Sequence, residues 1–277
     1  MYRFFDTCFE ASAHNVTSLL FCYFVLWIFD HTDHRAAAAA AAAAGKIFPL
    51  GMEHKSVDDQ YNGCKGQMAN LVKTKYLPNE LKSNFKFKQY WQNSAKVVKY
   101  GKDHLTRDHL IAIHVYTGKY VYRQFNEDTR YGKNQYKHKK YKWHALHFLL
   151  TEALQILKKS HNKCFQTYRG TTANFNKHVL NKEIRFGQFT SSSLDPKITQ
   201  GFGSKSCFEI ITCESAELMK YSQYPYIKEV LIPPYEKFRV TAVRTKQNYK
   251  NLWCDTVYTL KSAGRTSYLN CELIKKH

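Results

Sequence analysis

Three short segments of the chain carry an arginine, a serine cluster and a glutamate, each on its own predicted strand. They are residues 168–170 with Arg169, residues 186–194 with three consecutive serines, and residues 228–234 with Glu229. A guanidinium forks onto paired anionic oxygens, a hydroxyl both donates and accepts hydrogen bonds, and a fixed carboxylate stabilises a nearby cation. Together these groups suit a dianionic ligand that carries a sugar.

The segment that contains Glu229 has the pattern of a buried strand. Residues 230–232 form a short apolar run, and Pro233 and Pro234 follow it directly. Proline cannot donate to a strand ladder, so the run is expected to end there. We therefore expect Glu229 to lie at the mouth of a buried strand.

The spacing of apolar residues divides the globular part of the chain into two halves. A helix is predicted over residues 141–159, where apolar side chains recur at i, i+3, i+4 and i+7. Asp58 and Asp59 predict another helix that begins near residue 58, because acids favour a first helical turn. Beyond residue 160, short β-branched and aromatic segments alternate with turn residues. The pattern predicts an α+β fold with a helical part at 57–160 and a β part at 161–277.

The composition allows one sizeable domain and limits the classes of partner. The chain has 277 residues and a formal net charge of +20, which suits nucleic acid, sulfated sugars or anionic lipid. The sequence carries no zinc-finger or aromatic RNA-binding motif, and no Cys-x-x-Cys or His-Glu-x-x-His spacing. We therefore expect no specific nucleic acid as a partner and no bound metal.

The N-terminal residues are interpreted as a targeting segment and a spacer. The apolar run 19–29 resembles the central region of a signal peptide, so residues 1–30 are predicted to be a signal peptide or a retained signal anchor. Residues 31–56 are predicted to be a low-complexity spacer, since 36–44 are all alanine. A cleaved signal predicts secretion, and membrane association is expected only if the apolar run is retained. The even number of cysteines, eight, fits disulfides in a secreted chain.

Five segments, in order along the chain, resemble the motifs of the vertebrate ecto-mono-ADP-ribosyltransferases. They are the three segments above together with residues 58–64 and 268–271, and the resemblance covers about residues 57–275. It implies a helical part packed on a mostly antiparallel β-sandwich. It also implies transfer of ADP-ribose from NAD or NADP to a protein side chain, nominally arginine, with release of nicotinamide.

The resemblance also implies roles for individual residues. Arg169 is expected to clamp the pyrophosphate, Ser191 to orient the nicotinamide ribose, and Glu229 to stabilise an oxocarbenium-like cation. Further contacts with NAD are implied for four residues, which are Tyr116, Gln188, Phe202 and Ser222.

Disulfides are implied by the same resemblance. They are expected between Cys64 and Cys271 and between Cys164 and Cys213. Cys207 and Cys254 remain as either a third bridge or buried thiols. The sequence ends without the hydrophobic tail of a GPI-anchored relative, so secretion is expected, with an extracellular or lumenal protein as acceptor.

One position departs from the family pattern. Relatives that modify arginine carry Glu or Gln two residues before the catalytic glutamate, where this chain has Ile227. Isoleucine cannot accept a hydrogen bond from a guanidinium, and Lys228 would repel a cation if it faced the site. The alternative function is therefore a NAD glycohydrolase-like or catalytically weak NAD-binding ectodomain that acts as a recognition module.

Overall fold

The computed structural model describes residues 46–99 and 103–274. The predicted signal segment and the alanine tract lie outside the described residues. The chain divides into two units, Met1–Lys46 and Ile47–His277, and every described helix and strand belongs to the second unit. Among the described residues, no helix combines the length and the apolar character needed to cross a bilayer.

The N-terminal half of the folded unit is helical, as the sequence predicts. Its helices are α1 Lys65–Leu71, α2 Leu77–Ser83, α3 Phe85–Val97, α4 Arg107–Thr117, α5 Tyr122–Tyr131, α6 Lys133–Lys137 and α7 His144–His161. The predicted helix 141–159 corresponds to α7, which begins three residues later. The Glu80 carboxylate accepts a 2.8 Å hydrogen bond from the N–H of Ala145 and so satisfies one of the free donors at the start of α7.

A π-helical turn, Val72–Tyr76, joins α1 to α2. The N–H of Leu77 donates to the carbonyl oxygen of Val72, five residues earlier. Pro78 follows directly, and it has no N–H to donate to the carbonyl of Thr74. The wider π-helical turn therefore lies where the proline interrupts the helical hydrogen bonds.

The prediction of a helix that begins near residue 58 was wrong. Residues 57–61 are not helical, and Asp58 and Asp59 are fully buried. Asp58 accepts hydrogen bonds from Arg185 Nη1 at 2.6 Å and from the N–H groups of Tyr268 and Leu269. The two carboxylates therefore bind distant parts of the chain, whereas the prediction assigned them to a helical first turn.

The C-terminal half forms the β part of the fold. Its strands, with the first strand of the unit, are β1 Ile47–Phe48, β2 Phe165–Thr171, β3 Asn174–Phe175, β4 Glu183–Arg185, β5 Thr190–Ser193, β6 Ser206–Thr212, β7 Ala216–Glu217, β8 Glu229–Ile232, β9 Glu236–Thr245 and β10 Thr256–Arg265. A short helix, α8 Pro196–Gln200, follows β5. Eight strands form one sheet in the order β4-β9-β10-β6-β2-β5-β8-β7, and β1 pairs with β3.

The eight-stranded sheet is mostly antiparallel, which confirms the predicted α+β class. Within it only β6 and β10 run parallel. Ile232 of β8 packs in one apolar cluster with Ile210 of β6, Phe238 of β9 and Leu260 of β10. Strands from both ends of the sheet order, β8 and β9, therefore contribute to one apolar cluster. Leu231, the neighbour of Ile232, packs into the helical core, as expected where successive side chains face opposite sides.

Residues 47–56 belong to the folded unit, although the predicted spacer extended to residue 56. Leu50 is buried in the core of the sheet. The carbonyl oxygens of Met52 and Glu53 accept hydrogen bonds from the buried Arg185. Residues 47–56 are therefore not a spacer, because they supply acceptors for the buried Arg185.

Disulfides bridge both cysteine pairs that the resemblance implied. Cys64 is bonded to Cys271, and Cys164 is bonded to Cys213. A third disulfide joins Cys207 to Cys254. The first bridge ties the start of α1 to the C-terminal segment that Asp58 also holds.

Candidate active site

Three neighbouring strands, β2, β5 and β8, bring the arginine, the serine and the glutamate together. Tyr168, which precedes Arg169, pairs with Ser193 of β5, and Ser193 pairs with Glu229 of β8. The three predicted catalytic residues are far apart in sequence and adjacent across the sheet. The pairing of the strands therefore brings together three motifs whose order along the chain does not show that they are neighbours in space.

Arg169 is fixed by the backbone of the next strand. Its Nη1 donates a 2.7 Å hydrogen bond to the carbonyl oxygen of Ser191. Burial lowers the pKa of the guanidinium from its usual value, and the Tyr116 and Glu229 side chains oppose this shift whereas the charge of Arg130 adds to it. A partly buried guanidinium that keeps further N–H donors is suited to a phosphate ligand.

Glu229 begins β8 as a nearly buried carboxylate, with 5% of its surface exposed. Burial raises its pKa, and a hydrogen bond with the Ser191 side chain and the charge of Arg169 act in the opposite direction. A carboxylate in such a low-dielectric position interacts strongly with a cation that forms beside it.

The three consecutive serines have different partners. Ser192 donates from Oγ to the carbonyl oxygen of Val230 at 2.9 Å, and Ser193 donates to the carbonyl oxygen of Ile227 at 2.6 Å. These two hydroxyls therefore hold β8 and the turn before it. The Ser191 hydroxyl instead interacts with Glu229 and is half-buried at the site.

Tyr116 of α4 is buried, with 2% of its surface exposed. Its hydroxyl donates to the carbonyl oxygen of Phe189 at 3.1 Å and accepts from Asn126 Nδ2 at 3.1 Å. Burial raises its pKa, and the negative charge of Glu229 adds to that shift. Tyr116 therefore connects α4 and α5 to the strand that carries Ser191.

Gln188 contacts a second arginine that the sequence analysis missed. Arg130, near the end of α5, donates from Nε to Gln188 Oε1 at 3.2 Å. The influence of Arg130 on the pKa of Arg169 places a second positive charge near the first. No strand motif points to Arg130, because it is distant in sequence from all three segments. The only available signal was a basic residue in the last turn of α5.

Phe202 and Ser222 lie on the loops around the site. Phe202 follows α8 and is 56% exposed. The α8 loop lies tightly against β2, since a Cβ atom on Gly170 would come within 2.5 Å of the carbonyl oxygens of Thr199 and Gly203. Ser222 is 9% exposed and accepts a 3.0 Å hydrogen bond from the N–H of Tyr224.

The structure does not join these two residues to the catalytic group directly. In the part of the chain that is described, neither Phe202 nor Ser222 has a side-chain hydrogen bond to Arg169, Ser191 or Glu229. Their predicted contact with NAD therefore depends on how the ligand extends across the loops.

The two residues before Glu229 form the end of a tight turn. A 3₁₀ helix, Pro225–Ile227, is followed by Lys228 in the left-handed conformation, with φ of 51°. The Lys228 ammonium lies 3.1 Å from Oδ2 of Asp195. This ion pair directs the lysine charge toward Asp195 at the start of α8.

The described residues do not form a metal site. Within 46–99 and 103–274, no group of three or more His, Cys, Asp or Glu side chains is arranged to hold a metal ion.

Comparison with known proteins gives the same family as the motifs. The sequence model of the NAD:arginine ADP-ribosyltransferases matches residues 50–265. NAD(P)(+)--arginine ADP-ribosyltransferase 2 of Gallus gallus is 36% identical over 236 residues, which cover 82% of this chain and 73% of that protein. Ecto-ADP-ribosyltransferase 4 of Homo sapiens is 32% identical over 238 residues, which cover 79% of this chain and 71% of that protein.

Solved structures agree with the sequence comparison. The crystal structure of the eukaryotic mono-ADP-ribosyltransferase ART2.2 is similar with a TM-score of 0.68 and 31% identity, covering 81% of this chain and 98% of that chain. A variant of ART2.2 in complex with NAD gives a TM-score of 0.67 and 30% identity over the same shares of the two chains. On the extent of the family match and the identity to its relatives, this chain belongs to the NAD:arginine ADP-ribosyltransferase family.

Proposed function

We propose that this protein transfers ADP-ribose from NAD or NADP to a protein side chain, nominally arginine, and releases nicotinamide. The observation that carries the proposal is the convergence of Arg169, Ser191 and Glu229 on three adjacent strands. Membership of the family supports NAD as the substrate. The proposed catalytic residues are these three, and the proposed NAD-lining residues are Tyr116, Gln188, Phe202 and Ser222.

Arg169 holds the substrate in this proposal. NAD carries a pyrophosphate, and a guanidinium binds two of its oxygens with two parallel hydrogen bonds. The backbone bond to Ser191 uses one donor of Arg169 and leaves others for the phosphates. The arginine is therefore held in position before the ligand arrives, which lowers the entropic cost of binding.

Glu229 acts on the bond that breaks. The bond between ribose C1′ and the nicotinamide nitrogen cleaves, and its electron pair leaves with the ring, which becomes neutral. The ribose becomes an oxocarbenium-like cation, and the adjacent carboxylate stabilises it. Ser191 keeps the carboxylate oriented and is placed to bond the ribose.

The acceptor completes the reaction. A guanidinium nitrogen forms the new bond to C1′ and loses a proton, or water does so and free ADP-ribose results. Because Ile227 offers no acceptor to a guanidinium, hydrolysis is the competing outcome at this site. Because of Ile227, an assay has to measure both the ADP-ribosylated acceptor and free ADP-ribose.

The remaining organisation is proposed on the sequence and on the disulfides. Residues 1–30 direct the chain into the secretory pathway, and residues 31–46 form a spacer. The transferase domain spans residues 57–277, and the folded unit also includes residues 47–56 before it. The three disulfides suit an oxidising compartment. The acceptor is therefore an extracellular or lumenal protein.

The test is a product assay on the purified full chain. The protein is incubated with NAD labelled on its adenylate, with agmatine and with an arginine-rich protein, and nicotinamide, ADP-ribosyl-agmatine and ADP-ribose are measured. We expect nicotinamide release with label transferred to an acceptor, and both to fall by about 100-fold or more in the Glu229→Gln protein. Intact NAD binding without nicotinamide release would contradict the enzymatic function.

A thermal denaturation experiment tests binding separately. A ligand that binds only the folded state must raise the melting temperature. We expect a rise with NAD, whereas no shift at millimolar NAD would favour a recognition module that does not use the nucleotide.

A further inference from the structure

A dense group of positive charges lies between α6 and α7, outside the candidate active site. We name residues 137–142 the basic loop, and its sequence is Lys-His-Lys-Lys-Tyr-Lys. The side chains of Lys137, Lys139, Lys140 and Lys142 are all exposed. Four like charges in six residues create a strong local field.

Buried aromatic side chains hold the basic loop in place. The hydroxyl of Tyr136 donates to Oδ2 of Asp59 at 3.1 Å, and the hydroxyls of Tyr141 and Thr129 are 2.7 Å apart. Backbone hydrogen bonds close the turn between these tyrosines. The lysines are therefore presented from a fixed backbone, which reduces the entropy lost when a ligand binds.

The positive charge of the basic loop is not compensated. Within the described ranges, no carboxylate forms an ion pair with any of its four lysines, whereas some lysines of the β half are paired. Lys205 lies 2.9 Å from Asp255, and Lys237 lies 3.0 Å from Glu183. Uncompensated charge at one place on a surface is the arrangement expected of a binding site for a polyanion.

A surface pocket of about 280 Å³ adjoins the basic loop. It is lined by Asn134, Gln135, His138 and Lys140. The amide groups can donate to and accept from hydroxyls, and Lys140 supplies a cation. The pocket therefore lies directly beside Lys140, one of the four exposed cations of the basic loop.

We propose that the basic loop binds a sulfated glycosaminoglycan, a linear polysaccharide with repeated sulfate and carboxylate groups. Short lysine-rich runs bind heparin-like chains or nucleic acid. The three disulfides favour the first, because they suit an oxidising extracellular compartment in which sulfated polysaccharides are the abundant polyanions.

The experiment measures binding of a labelled heparin oligosaccharide to the purified full chain as a function of salt. The loop variant carries Lys137→Gln, Lys139→Gln, Lys140→Gln and Lys142→Gln. The control variant loses the same charge at exposed positions of the β half, through Lys177→Gln, Lys182→Gln, Lys250→Gln and Lys261→Gln. None of these residues belongs to the candidate active site, so NAD cleavage is expected to be unchanged in both.

We expect the loop variant to bind at least about tenfold more weakly at physiological salt, and the control variant to bind nearly as wild type does. The slope of log affinity against log salt should fall by about 3 in the loop variant, since each lysine that meets an anion releases roughly one counterion. Desulfated heparin should bind weakly to every protein. If the loop variant is unstable, Lys139→Gln and Lys142→Gln made singly should each lower affinity.

Two results would overturn the proposal. Equal loss of affinity in the loop and control variants would mean that binding depends on net charge alone. Equal affinity for heparin and for a single-stranded oligonucleotide of the same charge, with the same loss in the loop variant, would assign the loop to nucleic acid.

Discussion

The side chain of Arg169 is hydrogen-bonded to the backbone carbonyl of Ser191 over 2.7 Å. Two of the three residues that define the candidate active site are thus joined before any ligand binds. The Ser191 side chain in turn interacts with Glu229, so the three groups form a connected set across β2, β5 and β8.

Glu229→Gln keeps the shape of the side chain and removes its negative charge. If the carboxylate stabilises the oxocarbenium-like cation, kcat should fall by about 100-fold or more while the Kd for NAD changes little. Because burial raises the pKa of Glu229, activity of the wild type should increase with pH as this carboxyl ionises, with a midpoint above the usual glutamate value. The pH profile of nicotinamide release checks this, and equal turnover in Glu229→Gln would mean that another group acts there.

Arg169→Lys should weaken NAD binding, by about tenfold, because an ammonium cannot fork onto the pyrophosphate or keep the bond to Ser191 in the same geometry. Titration calorimetry with NAD measures the loss. Arg239→Lys, at an exposed position of β9, is the matched control and should bind as wild type does. An unchanged Kd in Arg169→Lys would exclude this arginine as the phosphate clamp.

Arg130→Gln tests the arginine that the sequence analysis missed. Its proximity to Arg169 and its bond to Gln188 predict that it adds positive potential where the pyrophosphate lies. We expect KM for NAD to increase several-fold with little change in kcat, because the interaction is made equally before and during cleavage. Arg123→Gln, on the exposed side of the same helix, controls for the lost charge. A lower kcat at unchanged KM would contradict this role.

Ile227→Glu should increase transfer to agmatine relative to hydrolysis of NAD. A carboxylate at this position can accept hydrogen bonds from the acceptor guanidinium, which the isoleucine cannot. We expect the ratio of ADP-ribosyl-agmatine to ADP-ribose to rise by about tenfold, or about 1.4 kcal/mol. Ile227→Leu should leave the ratio unchanged. An efficient wild-type transfer that the glutamate does not alter would place acceptor recognition elsewhere.

Glu80→Gln tests the buried carboxylate at the start of α7. Burial raises the pKa of Glu80 to about 8, so the folded protein binds a proton there that the unfolded chain has released. Stability from this group is complete below the unfolded value near 4.5 and is lost as pH rises through about 8. The nearby His144 and His147 have pKa values lowered to about 3 and about 4, so their contribution runs in the opposite direction at lower pH.

The measurement for Glu80 is therefore made above the histidine range. The free energy of unfolding should fall by about 1 kcal/mol between about pH 7 and pH 8 in wild type, and this loss should disappear in Glu80→Gln. The amide oxygen of glutamine can still accept from Ala145. Glu127→Gln, at an exposed position, should keep the wild-type slope. The same slope in both variants would mean that Glu80 is ionised in the folded state.

The sequence by itself predicted the chemical groups of the candidate site and determined the class of the fold. Arg169 and Glu229 were identified because their side chains suit phosphate binding and cation stabilisation. Periodicity separated helices from strands because side-chain burial has a different period in each. These are local properties, so they can be recognised in a single segment. Catalytic roles for the residues stay predictions until the variants are measured.

Only the tertiary structure decided how these segments meet. Asp58 and Asp59 were predicted to start a helix, yet they are buried and bind the C-terminal segment. The structure also separated Ser191 from its neighbours in the serine run, and placed Arg130 beside Gln188. Each outcome depends on which distant groups satisfy a buried donor or acceptor. That choice is made by contacts between residues far apart in sequence, and no local pattern contains it.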